Sequence, residues 1–111
     1  MGLEDANREQ LTRTLRELRA SIRDDVQDRW KGVKTAHRSQ KSRQVWRFTT
    51  QGDSVERFLH VPHEAMAQGR DAASVVMEQL RKAKWLARLQ KGPEKSFVLS
   101  RSGRLQPWPK A

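Results

Sequence analysis

Leu11, Leu15, Leu18, Ile22, Val26 and Trp30 recur at steps of four and three, which is the period of one helix face. Neither Pro nor Gly interrupts residues 3–31. Acids gather early (Glu4, Asp5, Glu9), where they suit the positive end of a helix dipole, and Gly32 is a natural stop. The pattern predicts a long amphipathic helix, an arm over residues 1–32. Its stripe must be buried, either on the chain's own body or against a second copy through residues 11–30. Arg13, Arg16, Arg19 and Arg23 flank the stripe and suit acids on a partner helix.

After the arm the period changes. Residues 34–43 are polar without any repeat and predict a loop or a weak helix extension. Val45 to Thr50 is rich in aromatic and β-branched residues, residues 51–54 (QGDS) supply turn chemistry, and residues 55–61 (VERFLHV) alternate with Val55, Leu59 and Val61 on one side. This predicts a β-hairpin. Trp46 and Phe48 share a strand face; in a chain with seven aromatic residues they read first as core, and second as rings on which bases stack.

Pro62 and Glu64 suit the first turn of a short helix that Gly69 ends. Asp71 is a natural N-cap for a second helix, whose Ala73, Val76, Met77, Leu80 and Ala83 fall on one face. That helix should end near Trp85 and Leu86, which lie off its stripe. Residues 90–95 predict a loop, Ser96 to Ser100 a strand, residues 101–104 (RSGR) a tight turn, and Leu105 a return strand closed by Pro107 and Pro109. Two helices joined by a short turn, followed by a hairpin with a basic tip, outline a winged helix. The expected class is α+β: a winged helix-turn-helix-like domain over residues 33–111, preceded by the amphipathic arm.

Charge points to a partner. The chain of 111 residues holds 23 Lys and Arg against 13 Asp and Glu, a formal charge of +10. Residues 1–30 hold six basic and seven acidic side chains, so the whole excess lies after residue 30. Lys31, Lys34, Arg38, Lys41, Arg43 and Arg47 occupy a stretch with no acid at all. Such a field attracts polyanions, and nucleic acid is the commonest. In a winged helix the second helix enters the major groove and the wing touches phosphates, so duplex DNA is favoured over RNA. The expected contacts are Lys41, Arg43 and Arg47 from the basic joint; Arg70, Ser74, Arg81 and Lys82 from the helices; and Lys95, Arg101 and Arg104 around the hairpin. Cysteine is absent and no apolar run marks a leader or a membrane span, which suits the cytoplasm.

Residues 57–66 (RFLHVPHEAM) and 75–86 (VVMEQLRKAKWL) together resemble the winged-helix domain at the C-terminus of large relaxase- and helicase-type proteins of conjugative elements. Phe97, Val98, Leu99 and Gly103 would be its wing. Lys84 stands where that pattern has glycine. The resemblance covers residues 57–108 and implies an accessory or regulatory DNA-binding role on a mobile element, such as a plasmid. The chain has no tyrosine, so the nicking nucleophile of relaxases does not carry over.

Little suggests catalysis. His60, His63 and Glu64 sit close in sequence but give too few ligands, with the wrong spacing, for a zinc site. There is no phosphate-binding loop and no nucleophile motif. The expectation is a binding protein without cofactor or metal. Two alternatives stand beside it: an adaptor that docks its helical arm or basic body on an acidic protein, and a small basic ribonuclease using His60, Glu64 and Arg57.

Overall fold

Gly32, at φ +79°, turns the chain out of a helix that runs Leu3–Arg29 (α1) and into the first strand. The computed structural model describes residues 3–52, 54–66 and 71–108. After α1 come β1 (Val33–Ser39), β2 (Arg43–Thr50), β3 (Arg57–Pro62), α2 (His63–Met66), α3 (Ala72–Lys82), α4 (Trp85–Lys91), β4 (Ser96–Leu99) and β5 (Leu105–Pro107). The five strands form one sheet in the order β1-β2-β3-β4-β5, antiparallel except where β4 lies parallel to β3.

The class is α+β. The expected β2–β3 hairpin is present, with Trp46 opposite Leu59 and Phe48 opposite Arg57. The polar stretch 34–43 differs from its prediction: most of it is strand β1 and the hairpin turn into β2. β1 lies at the sheet edge and is mostly exposed on both faces, so burial imposes no alternation on its side chains.

The hairpin β4–β5 also departs from the winged-helix outline. β4 enters the sheet parallel to β3 through the α2–α3–α4 crossover. Its turn exposes Arg101, Ser102 and Arg104 but sets Gly103 against α3. A Cβ placed on Gly103, whose φ is +86°, would meet the Gln79 side chain of α3 at 2.8 Å.

All helices pack on one face of the sheet. Leu18, Ile22 and Val26 of α1 are 0–1% exposed and join Trp46, Phe48, Leu59, Val61, Phe97 and Leu99 in a single core with α3 and α4. Burying each such side chain is worth roughly 1.5–3 kcal/mol, so the chain's own body takes the stripe of α1, and the second-copy option is not needed to cover it. Leu11, Leu15 and Trp30 pack at its margin. Expected inward position Val55 is 38% exposed. Arg57 takes that place instead, donating to the Leu89 carbonyl at 3.0 Å with its guanidinium 5.4 Å from the Trp30 ring centre.

The second helix ends where its stripe does. Lys84, at φ +56° and ψ +48°, breaks the chain between α3 and α4. Asp71 precedes α3, but its carboxylate makes no cap bond. Gly69 lies outside the described residues.

Candidate nucleic-acid interface

Strand alternation decides what faces away from the helices. Because Trp46, Leu59 and Phe97 point inward, their neighbours point outward. The register sets Ala36, Arg47, Phe58 and Ser96 in one outer row, and Arg38, Val45, His60, Val98 and Gln106 in the next. Trp108 continues β5, its N–H donating to the Ser96 carbonyl at 2.8 Å. Among the described residues no helix covers this face.

Three rings lie across it. Phe58 and His60 have centroids 6.3 Å apart, and His60 and Trp108 5.4 Å. The Arg43 guanidinium sits 4.5 Å above the Trp108 ring centre. Arg38 forms no salt bridge among the described residues. Arg47 pairs with Glu56 at 3.3 Å, with both side chains about half exposed, 51% and 49%. An exposed pair like this contributes about 1 kcal/mol or less, so a phosphate can displace the carboxylate. A cleft of about 210 Å³ opens beside Phe58, walled by Ala36, Arg38, Val45, Arg47 and Glu56. That is below the roughly 300 Å³ at which pockets for small metabolites begin, and it suits one flat ring.

His60 anchors the platform. It is 8% exposed, and its Nδ1 has no hydrogen-bond partner among the described residues. Burial, and then the charge of Arg43, push its pKa down to about 4. It is therefore neutral at physiological pH, a buried ring that supports Phe58 on one side and Trp108 on the other.

The residues expected to touch nucleic acid divide into groups. Arg43 and Arg47 flank the platform, and Lys41 occupies the β1–β2 turn beside it. The tip carrying Arg101 and Arg104 lies at the same end of the sheet, because β4 runs parallel to β3 and β3 antiparallel to β2. The two turns are about 14 Å apart at the usual strand spacing. The α3 residues lie on the helical layer, away from the platform. Ser74 is exposed there, Arg81 donates to both Asp25 carboxylate oxygens at 2.9 and 3.1 Å, and Lys82 pairs with Glu78 at 3.3 Å. Lys95 donates to the Gly92 carbonyl at 3.0 Å. Arg70 lies outside the described residues. Trp46 and Phe48 are core, 1% and 0% exposed, and present no face to a base.

The ribonuclease candidates do not converge. Arg57 and His60 stand on opposite faces of β3, and Glu64 is exposed on α2. His63 turns to the inner side, its Nε2 2.9 Å from Gln44 Nε2. Among the described residues no three His, Asp or Glu side chains gather to hold a metal, and no helix is long and apolar enough to cross a membrane.

Sequence reasoning weighed His60 only as a catalytic or metal-binding group and gave Phe58 and Trp108 no role on an outer face. The signal was present in residues 57–61, where Phe58 and His60 alternate with Leu59 and Val61. Assigning Val55 to the inner set left Arg57 unplaced and hid the outer pair. No family model, curated protein or solved structure matches the chain.

Proposed function

We propose that this protein binds single-stranded nucleic acid on the open face of its sheet. The observation that carries the reading is the pair of half-buried rings Phe58 and Trp108, with buried His60 between them, set among Arg38, Arg43 and Arg47. Flat rings on a sheet accept bases by stacking, and cations beside them neutralise the phosphates between those bases. The charge of the chain supports the same partner.

A duplex lying on α3 and the β4–β5 hairpin is the weaker reading. It requires Arg81 to leave Asp25, which it holds through two hydrogen bonds and whose side chain is only 17% exposed, while the exposed Lys82–Glu78 pair yields as readily as Arg47–Glu56.

The test is a salt titration of binding with single-stranded RNA, single-stranded DNA and duplex DNA. Single strands should bind more tightly than duplex, and log affinity should fall linearly with log salt. Phe58→Ala with Arg38→Gln should weaken single-strand binding by about tenfold or more and leave the circular dichroism unchanged. Preference for duplex, or full affinity in that variant, would remove the sheet face as the site. Absence of binding to all three polymers would favour docking on an acidic protein.

A further inference from the structure

The inner side of edge strand β1 overhangs a second basic feature. Arg16, Arg19 and Arg23 project from one face of α1 into a groove of about 460 Å³ between that helix and β1. Thr35 and His37 form the opposite wall and Trp46 the floor. None of the three arginines forms a salt bridge among the described residues, although α1 also carries seven acids. Unpaired guanidinium groups at helical spacing, facing a hydroxyl across a groove, are a receptor for phosphate oxygens.

His37 is fixed in place. Its Nε2–H donates to Gln44 Oε1 at 2.7 Å, the same oxygen that accepts from Ser39 Oγ at 2.7 Å, and its ring lies 4.9 Å from that of Trp46. The groove wall is therefore preorganised, and the arginines supply the adaptable side.

We infer that this groove is a second phosphate-binding site, which takes the sugar-phosphate chain of a strand that leaves the sheet face around the edge of β1. Arg38 faces the outer side of that strand and Arg19 the inner side, so cations continue around the edge. The identity of the ligand rests on the sheet-face reading; the phosphate site rests on the groove's own geometry. Arg16, Arg19 and Arg23 each take a phosphate oxygen, and the Thr35 hydroxyl donates to one.

Two measurements on the full chain test this. In the first, inorganic pyrophosphate is titrated while backbone amide resonances are followed. Residues 16–23 and 35–37 should shift in the wild type and in Phe58→Ala/Trp108→Ala, and stay unmoved in Arg16→Gln/Arg19→Gln/Arg23→Gln. In the second, the triple variant is compared on oligonucleotides of about six and about twenty nucleotides, lengths that cover one surface or both. Its affinity for the longer strand should fall about tenfold or more and its salt slope by about 2, three lost phosphates at roughly 0.7 each. The short strand should bind as before. The three arginines are exposed, so the fold tolerates their loss; Arg19→Gln alone should give a smaller effect of the same kind. A groove that ignores pyrophosphate, or an equal loss on both lengths, overturns the inference. Failure of Phe58→Ala/Trp108→Ala to weaken either strand would instead overturn the sheet-face reading, while the pyrophosphate response would still establish the groove.

Discussion

The guanidinium of Arg43 stacks over the indole of Trp108, 4.5 Å from its centre, and this pair joins the start of β2 to the chain just past β5. Trp30, Trp46 and Trp85 belong to the helix-covered side of the sheet, whereas Trp108 lies on the outer face. A base arriving on the platform must therefore meet Trp108 among the four indoles.

Binding of a single strand should quench tryptophan emission, and Trp108→Phe should abolish most of that change while retaining part of the affinity. Trp108→Ala should weaken binding by the loss of one stacked base, about 1–3 kcal/mol. Arg43→Ala should weaken it less and also lower the salt slope. With a strand of about six nucleotides, too short to reach the groove floored by Trp46, quenching that persists in Trp108→Phe would place the nucleic acid elsewhere on the molecule.

The difference between what the sequence announces and what it hides has a physical basis. Leu18, Ile22 and Val26 show their role because a buried helix face repeats at fixed steps, and the structure buries all three. Ala73, Val76, Met77 and Leu80 are legible for the same reason. β1 is not, because neither face of an exposed edge strand has to be apolar; its backbone pairing with β2 holds it. The outer platform is hidden by the topology. Phe58 and Trp108 are 50 residues apart in sequence, and only the parallel register of β3 with β4, with β5 beside it, brings their neighbourhoods together. The positive charge was legible as a sum. Which cations are tied up was not, since the Arg81–Asp25 pair joins α3 to α1 across 56 positions.

Lys84 holds a left-handed conformation between α3 and α4, at φ +56°. For a residue with a Cβ this conformation costs about 1–2 kcal/mol, and glycine avoids that cost while losing about 0.5–1 kcal/mol of chain entropy. Its side chain is exposed and contributes no packing. Lys84→Gly should therefore raise stability by about 0.5–1 kcal/mol, a gain of a few degrees in Tm, on the order of 4 °C. Lys84→Ala should give no such gain. Urea denaturation of the three proteins measures both, and a less stable glycine variant would show that the lysine side chain itself supports the junction.

His60 should make stability depend on pH. Its imidazole has an ordinary value of 6.5 in the unfolded chain and about 4 in the fold, where burial and then Arg43 oppose the charge. Between those values the unfolded chain holds a proton that the folded chain lacks, so acid favours unfolding. Stability is complete above about pH 6.5 and declines as pH falls toward 4. By pH 5 the loss attributable to this one group is about 2 kcal/mol. His37 adds to the trend in the same direction, its pKa lowered chiefly by burial and further by Arg19, against the opposing effect of the hydrogen bond it donates to Gln44. A variant isolates His60: His60→Phe keeps a flat ring between Phe58 and Trp108 and removes the proton. Urea midpoints at pH 7.5 and 5.0 should differ less in the variant than in the wild type, by the equivalent of about 2 kcal/mol. The variant should also keep most of its affinity for single strands at neutral pH, because Phe fills the same buried place between Phe58 and Trp108. Equal pH dependence in the two proteins would show that the imidazole takes up its proton in the folded state, and that the outer face is wetter than its 8% exposure implies.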